Sequence, residues 1–131
     1  MTVVREFFIE LYVIESAPYV EFFQRAFGAQ PVQPTEEVIS LDAAGLRILL
    51  HRGYSDLAPD HFFREPLAQD LRRGVGVEIC LAVDDLQSVH RIASELSDFR
   101  ITPILRMPWG LRDFRLSTPD NFYIRITEPR R

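Results

Sequence analysis

Two stretches of this chain, Phe7–Val13 and Val77–Val83, are rich in apolar and β-branched residues and alternate in side-chain character with the two-residue period of a strand. A helical pattern follows each. After the first, Tyr19, Phe22, Phe23 and Ala26 recur at helical spacing. Ser16 is the expected N-cap, Pro18 fits the first turn, and Gly28 suits the left-handed position past the last turn. After the second, Leu86, Val89, Ala93 and Leu96 form the apolar stripe, and Asp84 with Gln87 predicts a capping-box-like start. Strands are then predicted near Val38–Leu41 and Leu46–Arg52, joined by a turn at Asp42–Gly45, and near Ile101–Arg106, Leu111–Leu116 and Phe122–Thr127.

The order is the same in both halves. Adding 70 to the number maps Val13 onto Val83, Glu15 onto Asp85, Phe22 onto Ile92 and Ala26 onto Leu96. The pattern predicts an α+β chain made of two tandem βαβββ modules, 4–53 and 75–129. Residues 54–74 connect them, a polar segment carrying Tyr54, His61, Phe62 and Phe63. A connector of that length is expected to be a lid, an arm or short helix, or a packed crossover.

Strand alternation sorts the side chains into two faces. Phe7, Ile9, Leu11 and Val13 are expected beneath the first helix, and Ile79, Leu81 and Val83 beneath the second. Ile48, Leu50, Phe114, Leu116, Ile124 and Ile126 join the same inner faces. The outer faces then carry Phe8, Glu10, Tyr12, Arg47, Leu49 and His51 in the first module, and Glu78, Cys80, Ala82, Asp113, Arg115, Tyr123, Arg125 and Thr127 in the second. Such a mixture of aromatic and polar residues suits a binding cleft, or else a wet surface.

Composition removes several classes of function. The formal charge of −4 disfavours nucleic acid, which rewards clustered positive charge. No apolar run approaches the roughly 20 residues of a membrane span, and Glu6 and Glu10 interrupt anything resembling a signal peptide. A single cysteine, Cys80, forms no internal disulfide, in line with a cytoplasmic protein. It is expected to lie buried in mid-strand without a histidine partner, which disfavours a thiol nucleophile. All 15 basic residues are arginine, so lysine Schiff-base chemistry is excluded. Gly74-Val75-Gly76 enters a strand rather than a helix and is no phosphate loop.

The last hairpin is the most specific feature. Pro108-Trp109-Gly110-Leu111-Arg112-Asp113-Phe114 reads as a loop tip and a strand, and Pro119-Asp120-Asn121 as a tight turn, with Asp and Asn suited to bonding their own backbone. Together with the internal repeat and the strand-to-helix junctions Val13-Ile14-Glu15 and Val83-Asp84-Asp85, it resembles the glyoxalase, bleomycin-resistance and dioxygenase superfamily, the vicinal oxygen chelate proteins. Thr118 stands for that family's Asp and Asn121 for its Gly.

The resemblance implies half-barrel clefts and a homodimer. It carries the family's four metal positions onto Phe8, Leu49, Glu78 and Arg125, of which only Glu78 is a metal donor. A shifted site of Glu10, His51 and Glu78 is the remaining option for a metal; His61 and His90 are expected to be structural or exposed. The resemblance therefore points to the metal-free bleomycin-resistance-like branch: no cofactor, and a small aromatic or polycyclic ligand held for resistance, sequestration or carriage. Phe8, Glu10, Tyr12, Leu49, His51, Glu78, Trp109, Arg115, Tyr123 and Arg125 are the candidate ligand-binding residues. Trp109 either stacks on the ligand or plugs the barrel end. The alternative is a metal-independent isomerase, cyclase or lyase, with Glu78 as base, Arg125 or Arg115 holding an oxyanion, and Tyr12 or Tyr123 donating a proton. A dimer scaffold without ligand is a third option.

Overall fold

A computed structural model describes residues 1–54, 57–69 and 73–130, and the chain divides into two units, Met1–Leu71 and Arg72–Arg131. In the first, β1 (Ile9–Val13) leads into α1 (Ala17–Phe27), followed by β2 (Gln30–Val32), β3 (Val38–Ala43), β4 (Leu46–Arg52) and a short helix α2 (Arg64–Ala68). The sheet order is β1-β4-β3-β2, with β1 parallel to β4 and the rest antiparallel. Tyr19, Phe22 and Phe23 of α1 are fully buried, as are Leu41, Ile48 and Leu50 of the sheet. Each such side chain contributes roughly 1.5–3 kcal/mol of burial. The N–H groups of Tyr19 and Val20 donate to the Ser16 carbonyl, whose hydroxyl makes no capping bond. Gly28 ends the helix at φ 67°.

The second unit runs β5 (Glu78–Ala82), α3 (Leu86–Glu95), β6 (Arg100–Ile101), β7 (Leu105–Arg106), β8 (Arg112–Ser117) and β9 (Tyr123–Thr127). The order is β5-β9-β8-β6, β5 lying parallel to β9, and β7 pairs with β8. Leu86, Val89, Ile92 and Ala93 bury the apolar stripe of α3. Phe114, Leu116, Ile124 and Ile126 are buried as expected.

Several expectations need correction. The first strand starts at Ile9, because its ladder with β4 begins at the Ile9–Ile48 pair. Phe7, ahead of that pair, is 81% exposed instead of buried beneath α1. The fifth strand likewise starts at Glu78, and Val77 is exposed. The expected strand Ile101–Arg106 is two short pieces with Thr102, Pro103 and Ile104 between them, since proline has no N–H for a ladder. A short strand, Gln30–Val32, was not expected. The cap of α3 is Asp85, whose carboxylate accepts from Ser88 N–H at 3.0 Å, not the Asp84–Gln87 pair. Among the described residues no helix is long and apolar enough to cross a membrane.

Candidate functional site

The outer face of the first unit is partly covered by its own chain. Tyr12 and His51, paired in register on β1 and β4, stack at 4.7 Å between ring centroids. Phe63 meets Tyr12 edge-on at 5.4 Å and His61 lies 6.1 Å away, so the connector packs on this face. His51 is consequently only 6% exposed, where an open, ligand-facing position was expected. Glu10 is exposed beside the half-buried Leu49 in register. Phe8 is exposed, with the Arg47 guanidinium 5.2 Å above its ring; Glu6 and Asp42 hold that arginine.

In the second unit, β5, β9 and β8 bring Cys80, Arg125 and Arg115 into one row, because Cys80 pairs with Arg125 and Arg125 with Arg115. Glu78 is tied to this row. Its Oε2 accepts from Arg115 Nε at 2.9 Å, and Arg125 lies 3.9 Å from Oε1. Beneath the two guanidiniums sits Asp113, 1% exposed, 3.6 Å from Arg115 and 4.0 Å from Arg125. Neither Asp113 oxygen has a hydrogen-bond partner among the described residues, nor has Arg125 Nε. Charge attraction therefore holds this pair without a hydrogen bond between them. Sequence alternation placed Asp113 on this face but gave no sign of its burial. Tyr123, one row away opposite Glu78 and Ser117, is half-buried.

Trp109 completes the arrangement. The Met107–Gly110 turn is closed by Gly110 N–H to the Met107 carbonyl, with Gly110 at φ 92°. It sets the indole over Arg125, 5.7 Å from guanidinium to ring centroid, within cation–π range. The ring is 54% exposed. A cavity of about 870 Å³ opens here, lined by Trp109, Leu111, Cys80, Ala82, Arg125 and Thr127, and by Glu128 and Arg130. Glu128 accepts from the Arg112 backbone N–H at 2.7 Å and from its guanidinium at 3.1 Å. The side-chain bond, then the backbone bond, holds its carboxyl below the ordinary value. Cys80 is exposed rather than buried, on the face that alternation gave it. His90 is structural: its Nε2 lies 3.0 Å from the Thr102 carbonyl and its ring packs edge-on against Phe114.

The donor set does not suit a metal. At the four positions given by the family resemblance, Phe8 and Leu49 have no donor, Arg125 is a fixed cation, and Glu78 is engaged by Arg115. In the shifted set, His51 is buried under Tyr12. No three His, Cys, Asp or Glu side chains among the described residues gather as an ion would require.

No protein-family model matches this sequence, and no curated protein does. Solved structures do match. A bleomycin-binding protein complexed with bleomycin is 18% identical and superposes with a TM-score of 0.63, covering 97% of this chain and 100% of that one. A glyoxalase/bleomycin resistance protein/dioxygenase family enzyme from Burkholderia phytofirmans is 15% identical, TM-score 0.70, with 92% and 95% covered. The fosfomycin resistance protein FosX from Listeria monocytogenes, complexed with Mn(II) and sulfate, is also 15% identical at TM-score 0.70, with 98% and 93% covered. At these identities the likeness is one of fold.

Proposed function

We propose that this chain, which has the vicinal oxygen chelate fold, is a metal-free binding protein for a small aromatic or polycyclic compound, of the resistance or sequestration type. The observation that carries the reading is the half-exposed Trp109 ring standing over Arg125 beside a cavity of about 870 Å³. That volume is within the range of small-molecule sites, and the indole offers a flat apolar plate with a polar N–H. Bleomycin binding by one relative of the same fold and fosfomycin resistance in another support the reading. The acid–base alternative is less well supported. Its base, Glu78, accepts a charge-assisted bond from Arg115 and lies against Arg125, while Tyr12 is packed among aromatic rings.

Because Trp109 is the only tryptophan, its fluorescence reports on this cavity alone. Titration with flat compounds, such as anthraquinones and phenazines, should give saturable quenching with the compound recovered unchanged. Absence of quenching across such a set would count against binding here, and consumption of the compound would establish an enzyme. Chelators should leave the affinity unaltered. One equivalent of tightly held transition metal in the purified protein would overturn the metal-free part.

The same proposal includes a cytoplasmic homodimer. Val3, Val4, Phe7 and Phe8 form an exposed apolar segment in the first unit, and Val75 and Val77 are exposed in the second. A second copy is the natural cover for such surfaces.

A further inference from the structure

The charges around the cavity are unequally engaged. Glu128 is taken up by Arg112, through its backbone and its guanidinium, and Glu78 by Arg115. Arg125 has only long contacts, 3.9 Å to Glu78 and 4.0 Å to Asp113, both beyond hydrogen-bond reach. Arg130, also on the cavity wall, has no ion pair among the described residues. The charges left over at the wall are therefore both positive. The imbalance extends to the unit as a whole. By sequence, Arg72–Arg131 contains ten arginines against eight acidic residues, whereas Met1–Leu71 contains five against eleven. In a chain with a net charge of −4, this cavity thus lies in the half that is formally positive.

Resting on the binding function proposed above, we infer that the ligand of this cavity is a planar anion, an aromatic ring conjugated to a carboxylate or phenolate oxygen. A guanidinium is a flat fork that meets a carboxylate with two parallel hydrogen bonds. The Arg125 guanidinium lies over the Trp109 ring at 5.7 Å, so a ligand whose oxygens meet Arg125 also reaches the indole. Asp113 supports the arrangement from below. Its buried carboxylate attracts Arg125 on the side of the buried Nε without consuming a donor, leaving the terminal nitrogens for the ligand. A cationic planar ligand would meet the Arg125 and Arg130 guanidiniums on the wall, and a neutral one would offer Arg125 no charged acceptor.

The test uses 2-naphthoate and 2-naphthamide, which share ring and shape and differ in charge. Calorimetry on the unmodified protein at pH 7 should show naphthoate binding at least about tenfold more tightly, the lower end for a hydrogen bond to a charged group. Raising salt should reduce that preference, and Arg125→Gln should remove it. Cys80, the only cysteine, lines the same cavity, so bound naphthoate should slow its alkylation by iodoacetamide. Equal affinities, or tighter binding of the amide, would overturn the anion assignment while the binding function stood. If neither compound bound and neither protected Cys80, the cavity itself would be the wrong place. The charge contrast is read on the native protein, so the outcome does not depend on whether the Arg125 variant folds.

Discussion

Gly74 shows how tightly single residues hold the last hairpin. Its φ of +70° is one that residues with side chains rarely adopt, and a Cβ there would stand 2.3 Å from the Asn121 carbonyl oxygen. Next to it, Arg73 donates to the nearly buried Asp120 at 2.7 Å. Gly74→Ala should cost about 2–3 kcal/mol through strain and clash. Asp120→Ala should cost about 1.5–3 kcal/mol by removing this charge-assisted hydrogen bond. Urea unfolding of both variants and the double mutant checks this, and the two effects should not add, since the two contacts are adjacent. The sequence placed a tight turn at Pro119-Asp120-Asn121, where Asn121 takes a φ of 62°. It did not foresee Asp120 reaching Arg73, because a partner 47 positions away leaves no local signal. Thr118, in place of the family's Asp, keeps a turn bond by accepting from Phe122 N–H at 3.0 Å. Arg125, Glu78 and Trp109 were legible as one group from strand alternation and the hairpin motif. The engagement of Glu78 by Arg115 was not, since it depends on side-chain rotamers.

At the scale of elements, pattern recovered α1, α3 and most strands but misplaced the starts of β1 and β5. Phe7 and Val77 fit the alternation yet precede the first paired residue, and only the partner strand decides where a ladder begins. His51 alternates outward as read, but Tyr12 stacks on it, and a connector that cannot be docked from sequence packs on Tyr12. The β8–β9 hairpin is closed at its open end by Glu128 on Arg112. These hydrogen bonds lower the Glu128 carboxyl from its ordinary 4.5. A lowered folded value means the stabilisation is present in full above pH 4.5 and lost as pH falls through that lowered value. Acid melting curves should therefore fall less steeply below pH 4.5 for Glu128→Gln than for the native chain. Parallel curves would show that the pair contributes nothing to the hairpin. The group is solvent-accessible, so added salt should shrink the difference.

The whole molecule is electrically divided, formally negative over Met1–Leu71 and positive over Arg72–Arg131. If two copies associate through unlike halves, the dimer should weaken as ionic strength rises. Sedimentation at micromolar concentration should give twice the chain mass at low salt, and a single-chain mass throughout would contradict the homodimer. Fold class and repeat were legible at this scale because periodicity and motif agree across both halves. The ligand was not, because small-molecule choice lives in a few side chains placed by tertiary structure. The central claim is that a flat ligand lies on Trp109 in the second unit. Its most direct measurement is the calorimetric affinity of a ligand found by tryptophan quenching, compared between the native protein and Trp109→Ala. The indole is half-exposed, so thermal stability should barely change, while binding should weaken by about 1–3 kcal/mol, the usual worth of one stacked ring. An unchanged affinity in a folded Trp109→Ala protein would contradict the account.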